Sequence, residues 1–339
     1  MTSILAANRL SHEILTTPCE NSHKLPTVNA QPKATFLKIL LIVNPSASGV
    51  TARGRVVIQN AIAADHDLTV AETKRRGHAT RLAQGASAIG TELVISLGGD
   101  GTVNEVANGL VRTKTALGVL PGGSTNVFAR TLGLENEPVE ATGQLLEAIR
   151  RNAIRRVGLG NVNGRFFLFH VGMGYDAAVV EQVERRGQLK RWLGHPLFMY
   201  AALDTWARKF DRKNPPFWVS FGPDSRIDGF FCIAMNTDPY TYLGSRPLSL
   251  SKEATLDNPL SVVTLKSLNL SGTLRAVGAA VRGGDRLKKA PTVDIQVDVT
   301  RFAVHGYRPF PWQVDGDHLG DATQLDFRWE PSVLSLVTP

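Results

Sequence analysis

The sequence contains few cysteines and no long hydrophobic run. Its 339 residues include two cysteines, Cys19 and Cys232, which excludes a disulfide framework and a zinc site and favours a reducing cytosol. No stretch approaches the roughly 18 consecutive apolar residues of a membrane span. Residues 1–35 lack a basic segment followed by an apolar block, so we expect no signal peptide there. Their polar, proline-containing composition predicts a disordered leader.

Motifs of nucleic-acid-binding proteins are also absent, although the formal net charge is +8. A basic chain can bind nucleic acid, an anionic membrane surface or phosphate ligands. Because the sequence contains no RNP motif, zinc finger or helix-turn-helix, we expect no nucleic-acid partner. The apolar content of 43% indicates a globular protein, and the length allows two domains.

The most informative stretch begins at residue 93. Four of the five residues 93–97 are apolar (Leu93, Val94, Ile95 and Leu97), which suits a strand buried in a parallel sheet, and apolar residues recur with helical spacing over residues 103–110. Thr102 and Glu105 lie three positions apart, which predicts a capping box at the start of this helix. The pattern therefore predicts a strand, a turn and a helix in direct succession.

The turn holds three glycines, Gly98, Gly99 and Gly101, around Asp100. At such a position, backbone N–H groups and the positive end of the helix dipole can receive a phosphate. A carboxylate repels phosphates unless a divalent cation lies between them or the carboxylate accepts a proton from an incoming hydroxyl. The turn therefore differs from both the dinucleotide fingerprint and the P-loop. The alternative is a tight turn with an exposed aspartate.

Strands and helices alternate through the first part of the chain. Predicted strands at residues 36–43, 68–73, 93–97 and 117–120 alternate with helices, which indicates an α/β fold with a parallel, Rossmann-like sheet. Asn44 and Thr73 mark the carboxyl ends of the first two strands, and a second glycine turn, Pro-Gly-Gly-Ser-Thr-Asn, follows the fourth. Because the carboxyl ends of parallel strands meet at one edge, we expect these turns to line one ligand crevice.

The sequence beyond residue 155 predicts antiparallel strands. Asn163 and Gly164 form a hairpin signal. Further strand-like runs cover residues 166–169, 217–221, 230–235, 261–265, 293–304 and 325–329. We therefore predict an α/β domain over residues 36–155 and an antiparallel β domain over residues 156–335, with a helical insert at residues 176–213.

Basic and aromatic residues are interleaved in much of this insert. Residues 181–213 contain eight basic and four acidic residues among Trp, Phe and Tyr side chains. We expect this surface to contact anionic lipid, which predicts a cytoplasmic protein that associates peripherally with the membrane surface. The alternative is a solvated pair of helices whose aromatic side chains lie in the core.

Six segments occur in a characteristic order. They are Asn44-Pro45 with Ser48-Gly49, Thr73 with Gly77-His78-Ala79, residues 98–105, residues 121–126, residues 172–177 and residues 314–317. Together they resemble the diacylglycerol kinase catalytic family, which includes bacterial soluble diacylglycerol kinases and related sphingosine and ceramide kinases. The resemblance implies a nucleotide-binding domain and a β-sandwich with the active site in the cleft between them. It also implies transfer of a phosphoryl group from ATP with Mg²⁺ to a lipid hydroxyl.

Phosphoryl transfer requires positioning and charge neutralisation, and the residue types present suit both. The predicted nucleotide contacts are Asn44, Thr73, Gly98, Gly99, Asp100, Gly101, Thr102, Asn104, Glu105, Gly122, Gly123, Ser124, Thr125 and Asn126. Asp100 is also the predicted carboxylate beside the Mg²⁺ of ATP.

The resemblance assigns the catalytic base to the segment Asp315-Gly316-Asp317. We predict that Asp317 is the base and that Asp315 assists it, although Asp317 stands where the family commonly has the longer glutamate. Asp-Gly between strand-like runs is also a hairpin signal. Asp176 matches an aspartate of the family and is a further metal candidate, with a helix N-cap as the alternative. His78 is expected to start a helix or to serve as a local hydrogen-bond partner.

At this point, alternatives stay open for the lipid acceptor and for the class of protein. Diacylglycerol is the default acceptor, and a sphingoid base or another lipid alcohol stays open. An NAD kinase shares the Gly-Gly-Asp-Gly turn and is the rival enzyme. A non-catalytic regulator that binds lipid or nucleotide is the alternative that is not an enzyme. A homodimer formed through edge strands also stays open.

Overall fold

The computed structural model describes residues 36–184, 211, 213–284 and 286–339. Its N-terminal region contains four parallel strands in the spatial order β4-β3-β1-β2. The strands are β1 (Lys38–Val43), β2 (Asp67–Glu72), β3 (Leu93–Gly98) and β4 (Ala116–Pro121). The accompanying helices are α1 (Ala52–Ala63), α2 (His78–Ala88), α3 (Asp100–Leu110), α4 (Val127–Thr131) and α5 (Pro138–Arg150).

The predicted alternation of strands and helices is confirmed. All six residues of β3 and all six of β4 are buried, as expected for central strands covered on both faces. The edge strand β2 is largely exposed. The carboxyl ends of the four strands lead into the turns that the sequence predicted to share one edge.

The C-terminal region is dominated by antiparallel pairing, which confirms the second predicted architecture. Its elements are β5 (Ile154–Val162), β6 (Arg165–Phe167), β7 (His170–Gly174), α6 (Tyr175–Glu184), β8 (Phe217–Ser220), β9 (Ile227–Gly229), β10 (Phe231–Met235), β11 (Thr241–Leu243), β12 (Arg246–Leu248), β13 (Leu260–Leu265), α7 (Leu270–Val281), a 3₁₀ helix (Leu287–Lys289), β14 (Val293–Val299), β15 (Arg301–Val314) and β16 (Asp317–Val337). The main strand order is β14-β13-β10-β7-β15-β16.

Strand β16 joins the two regions into one sheet. It pairs antiparallel with β15 and β5, and its last residues pair parallel with β4 at Ser335 and Leu336. The sequence predicted only residues 325–329 of this strand. Its last residues pair with β4, more than 200 positions earlier in the chain, so no local pattern marks that end. The predicted domain boundary at residue 155 stays a prediction.

Most of the predicted insert, residues 185–210, lies outside the described residues, so its contact with lipid stays a prediction. In the part of the chain that the structure describes, no helix is both long and apolar enough to cross a membrane. The apolar core forms three clusters, of which the largest surrounds the parallel sheet. That cluster includes Phe128 of α4, so the core reaches the base of the second glycine turn.

Candidate active site

The two glycine turns lie in direct contact. The N–H of Gly122 donates to the carbonyl of Gly98 at 2.8 Å. A Cβ added to Gly122 would lie 2.8 Å from the Cα of Gly98, and one added to Gly123 would lie 2.8 Å from the Cα of Gly99. Side chains at these positions would force the backbones apart, so the pairing of the turns requires glycine.

Asp100 connects the first glycine turn to the helix after the second. It is the first residue of α3, whose N-cap is Gly99. Its two carboxylate oxygens accept hydrogen bonds from the N–H groups of Val127 and Phe128, both at 3.0 Å. These groups begin α4, where a negative charge is stabilised by the helix dipole. Asp100 therefore fixes the position of one turn relative to the other.

The predicted capping box of Thr102 and Glu105 is wrong. Helix α3 begins at Asp100, so Glu105 lies more than one turn inside it and cannot reach back to its N-terminus. Glu105 instead caps α2, since its carboxylate accepts from the N–H of Gly77 at 2.7 Å and of Ala79 at 3.1 Å. The hydroxyl oxygen of Thr102 accepts from Nδ2 of Asn44 at 3.1 Å.

Asp315 and Gly316 form the tight turn between β15 and β16. Their φ angles are +48° and +80°, and Val314 pairs with Asp317 across the turn. The hairpin interpretation of this segment is therefore confirmed. The turn places Asp315 and Asp317 in different surroundings.

The Asp315 side chain is buried and accepts four hydrogen bonds. Oδ2 accepts from Nδ2 of Asn104 at 2.7 Å and from the N–H of Leu168 at 2.8 Å. Oδ1 accepts from the N–H groups of Phe169 at 3.0 Å and His170 at 3.1 Å. Burial raises the pKa of the Asp315 carboxyl to about 6, although the four hydrogen bonds act in the opposite direction. Asp315 thus ties the hairpin to α3 and to the start of β7.

Asn104 and Arg165 extend this network toward Asp317. Asn104 is buried, and its Nδ2 also donates to the carbonyl of Phe166 at 3.0 Å. Its Oδ1 accepts from the Arg165 guanidinium at 2.9 Å. The amide of Asn104 therefore joins Asp315 on one side to Arg165 on the other.

Asp317 is partly exposed and lies between two arginines. Its Oδ2 is 2.8 Å from Nη2 of Arg76 and 3.5 Å from Nη2 of Arg165, and 25% of its side chain is exposed. A Cβ added to Gly101 would lie 3.6 Å from Oδ1 of Asp317. The carboxylate therefore lies beside the first turn of α3, next to the first glycine turn.

Arg76 and Arg165 did not emerge from the sequence as site residues. Arg76 lies between Thr73 and His78, and Arg165 directly follows the Asn163-Gly164 turn, so both flank recognised segments. Their proximity to Asp317 depends on contacts between distant parts of the chain. If the strand pairing of the β5–β6 hairpin had been predicted from its turn, this pairing could have identified Arg165 as a site residue.

The other predicted residues lie in the surrounding turns. Oδ1 of Asn44 accepts from the N–H of Ser46 at 3.0 Å, and the N–H of Thr73 donates to the carbonyl of Val43 at 2.9 Å. Asn126 closes the second glycine turn, because its Oδ1 accepts from the N–H of Gly123 at 2.7 Å. Ser124 is exposed and Thr125 half-buried in the same turn.

Two candidates from the sequence lie at helix starts. His78 begins α2, and its Nδ1 accepts from the N–H of Lys74 at 3.1 Å, so its local role is confirmed. Asp176 is the second residue of α6, and its side chain lies outside the described part of the structure. Among the described residues, no cluster of three or more His, Cys, Asp or Glu side chains could hold a metal ion.

His170 gives a pH-dependent prediction close to the Asp315 network. Its ring is buried against Phe169 and Tyr240, each at a centroid distance of 4.8 Å, and burial lowers its pKa to about 3. The unfolded chain takes up this proton below about pH 6.5. The contribution to stability is therefore present above pH 6.5 and is lost as the pH falls toward 3. Relative to His170→Phe, wild type will lose about 3 kcal/mol of unfolding free energy between pH 6.5 and pH 4.

Urea unfolding of both proteins at several pH values checks this prediction. The comparison isolates His170 because both proteins keep the same acidic residues. Parallel stability profiles for wild type and His170→Phe would contradict the burial of a neutral imidazole.

Comparisons with known proteins agree with this fold. A family model for the diacylglycerol kinase catalytic domain matches residues 38–162. The diacylglycerol kinase of Bacillus subtilis is 27% identical over 248 residues, which is 72% of this chain and 78% of that protein. A Pseudomonas fluorescens protein named "Probable lipid kinase YegS-like" is 30% identical over 267 residues, or 77% of this chain and 83% of that one.

A solved structure of a diacylglycerol kinase from Bacillus anthracis has the same fold. The TM-score is 0.66 at 22% sequence identity, with 91% of this chain and 98% of that chain covered. The two sequence relatives and the family model together place the protein among the lipid kinases. The chain belongs to the diacylglycerol kinase catalytic family of lipid kinases.

Proposed function

We propose that this chain transfers the γ-phosphoryl group of ATP to the hydroxyl of a lipid, with diacylglycerol as the first candidate acceptor. One observation carries the proposal: two paired glycine turns and the partly exposed carboxylate of Asp317 meet beside the first turn of α3. This arrangement offers a phosphate-binding surface and a base in one place. Membership of a lipid kinase family supports a lipid acceptor.

The glycine turns bind the phosphates of ATP in this proposal. Helix α3 begins at Asp100. The N–H groups of Thr102 and Val103 donate to the carbonyl of the N-cap Gly99, so the phosphate contacts are assigned to the backbone before Thr102. Because the neighbouring glycines carry no Cβ, a phosphate can approach the backbone closely. Asn44, Thr73, Ser124 and Thr125 lie in the turns at the same edge and supply neutral polar contacts to the nucleotide.

Asp100 is the carboxylate that fits beside a nucleotide-bound Mg²⁺. A carboxylate oxygen can accept more than one bond, so the two N–H bonds of Asp100 are compatible with this role. Mg²⁺ in phosphoryl-transfer sites commonly uses one or two carboxylates together with substrate phosphates and water. Bound with ATP, the ion supplies neutralisation of phosphate charge. Asp176 stays a second metal candidate.

Asp317 is the base that accepts the proton of the lipid hydroxyl. As this proton moves to a carboxylate oxygen of Asp317, the acceptor oxygen bonds to the γ-phosphorus and the bond to the ADP oxygen breaks. Arg76 and Arg165 hold the carboxylate in place on two sides. Asp315 does not need to take part in proton transfer, because its four hydrogen bonds already give it a positioning role.

An acceptor panel tests the proposal. Wild-type protein is incubated with γ-labelled ATP and Mg²⁺ and with diacylglycerol, a sphingoid base or NAD, each in a separate reaction. We expect labelled phosphatidic acid from diacylglycerol and no labelled product when Mg²⁺ is removed with a chelator. A reaction without acceptor controls for ATP hydrolysis.

The other outcomes identify the alternatives. A labelled sphingoid phosphate would retain the lipid kinase and change the acceptor. Labelled NADP would identify the rival kinase activity. ATP binding without any labelled product would support a non-catalytic regulator and overturn the proposed reaction.

A further inference from the structure

Helix α7 exposes large apolar side chains on its outer surface. Leu274 is 63% exposed and Val281 is 42% exposed. They lie seven positions apart, so both are on the same face of the helix. Isolated apolar residues are common on protein surfaces, whereas a stripe along one helix indicates a contact surface.

The inner face of α7 is anchored to the protein. It packs small side chains into the core around β10 and β13, namely Ala276, Ala279 and Ala280. The N–H of Ser249 donates to the carbonyl of Ala280 at 3.2 Å. A Cβ added to Gly284, which has a φ of +80°, would lie 3.0 Å from the carbonyl oxygen of Ser249. The outward direction of the apolar stripe is therefore set by tight packing on the other side.

Basic residues are frequent on α7 and in the segments next to it. Residues 266–289 contain six basic residues and one acidic residue, Asp285, which gives a net charge of +5. The six basic residues are all exposed: Lys266, Arg275, Arg282, Arg286, Lys288 and Lys289. One of them, Lys288, forms an ion pair with Glu253. An apolar stripe with a basic border is the pattern of helices that lie in a membrane interface.

Contacts connect α7 to the candidate active site. Helix α7 packs beside β12 of the β11–β12 hairpin. The guanidinium of Arg130 in α4 lies 3.5 Å from the ring centroid of Tyr242 in this hairpin and donates to the carbonyl of Gly244 at 3.0 Å. Helix α4 is also the helix whose first N–H groups bind Asp100.

We propose that α7 docks the protein on an anionic lipid surface. The apolar stripe enters the boundary between headgroups and acyl chains, and the basic residues contact lipid phosphates. A second copy of the chain is a poorer occupant, because a symmetric contact would bring two surfaces of charge +5 together. The biological reason for docking rests on the proposed lipid substrate, but vesicle binding itself needs neither nucleotide nor turnover.

Vesicle sedimentation tests the proposal. Full-length protein is mixed with vesicles of equimolar phosphatidylcholine and phosphatidylglycerol, or with vesicles of phosphatidylcholine alone. We expect preferential binding to the anionic vesicles. The double variant Leu274→Ser/Val281→Ser should lower the partition coefficient at least about tenfold. Arg282→Gln/Arg286→Gln should lower it about 25-fold at low salt, or about fivefold per residue, and this difference should shrink in 1 M salt.

Matched variants on other surfaces separate docking from general changes. Ile89→Ser removes an apolar side chain that is 83% exposed at the end of α2, and Arg150→Gln/Arg151→Gln removes two exposed charges from the end of α5. Both should bind vesicles like wild type. Equal loss of binding in these controls, or unchanged binding in the α7 variants, would overturn the proposal.

A fluorescent variant keeps the test independent of folding defects in the double variants. Leu274→Trp should be quenched by brominated lipid in anionic vesicles, whereas Ile89→Trp should gain no quenching over wild type. Absence of quenching at residue 274 would overturn the proposal. A dimer in sedimentation equilibrium that Leu274→Ser/Val281→Ser dissociates would identify a second copy as the occupant and would also overturn it. If the wild-type protein bound vesicles but showed no kinase activity, only the proposed reaction would be contradicted, and the docking proposal would stand.

Discussion

Replacement of Asp317 by asparagine will lower the rate of phosphoryl transfer to the lipid acceptor by about 10²–10⁴-fold, which is the usual contribution of a general base. The amide cannot accept the proton of the hydroxyl. The protein should stay folded, since the ion pairs with Arg76 and Arg165 are partly exposed and such pairs contribute about 0–1 kcal/mol each. Initial rates with saturating ATP, together with an ATP-binding measurement, check both expectations.

Two further variants complete this test. Asp321→Asn makes the same chemical change at an exposed position on β16 and should leave the rate unchanged. Asp317→Glu should retain much of the activity, because it keeps a carboxylate and has the residue that the family commonly carries. If Asp317→Asn were as active as wild type, the base would have to be another group.

Replacement of Asp315 by alanine will lower the free energy of unfolding by about 3–5 kcal/mol, because four buried donors lose their acceptor at about 1–3 kcal/mol each, offset in part by removal of a buried charge. The substitution leaves Nδ2 of Asn104 and the three N–H groups of residues 168–170 without their acceptor in the interior. Chemical denaturation at pH 8 checks the loss, since the carboxyl group is ionised at this pH.

The left-handed backbone of Asp315 requires its own control. Alanine at a φ of +48° adds strain of about 1–2 kcal/mol. Asn152→Ala introduces the same kind of strain at an exposed turn with a φ of +52°, and subtracting its loss removes the backbone strain from the loss measured for Asp315→Ala. A loss for Asp315→Ala no larger than that for Asn152→Ala would contradict the structural role of the buried carboxylate.

The parallel half of the fold could be predicted because its signals are local. Strands such as residues 93–97 are almost entirely apolar, and the turns after them contain glycine or small polar residues. The rule that carboxyl ends of parallel strands share an edge then brings Asn44, Gly98 and Gly122 together. Their contacts in the structure confirm this inference.

The rest of the fold and of the site depends on contacts between distant residues, which no local sequence pattern predicts. The capping box failed because α3 begins at Asp100 rather than after Thr102, which directs Glu105 to the neighbouring helix α2. The return of β16 to β4 and the pairing of Asp317 with Arg76 join residues more than 200 positions apart. The burial of Asp315 also depends on distant residues, because it follows from how the β15–β16 hairpin packs on β7.

A crystal structure with Mg²⁺, a non-hydrolysable ATP analogue and a short-chain diacylglycerol tests the central claim most directly. We predict phosphates bound along the backbone of the two glycine turns, residues 98–101 and 122–125, with the acceptor hydroxyl about 3 Å from a carboxylate oxygen of Asp317. A nucleotide bound away from both glycine turns, or an acceptor hydroxyl hydrogen-bonded to a base other than Asp317, would contradict it.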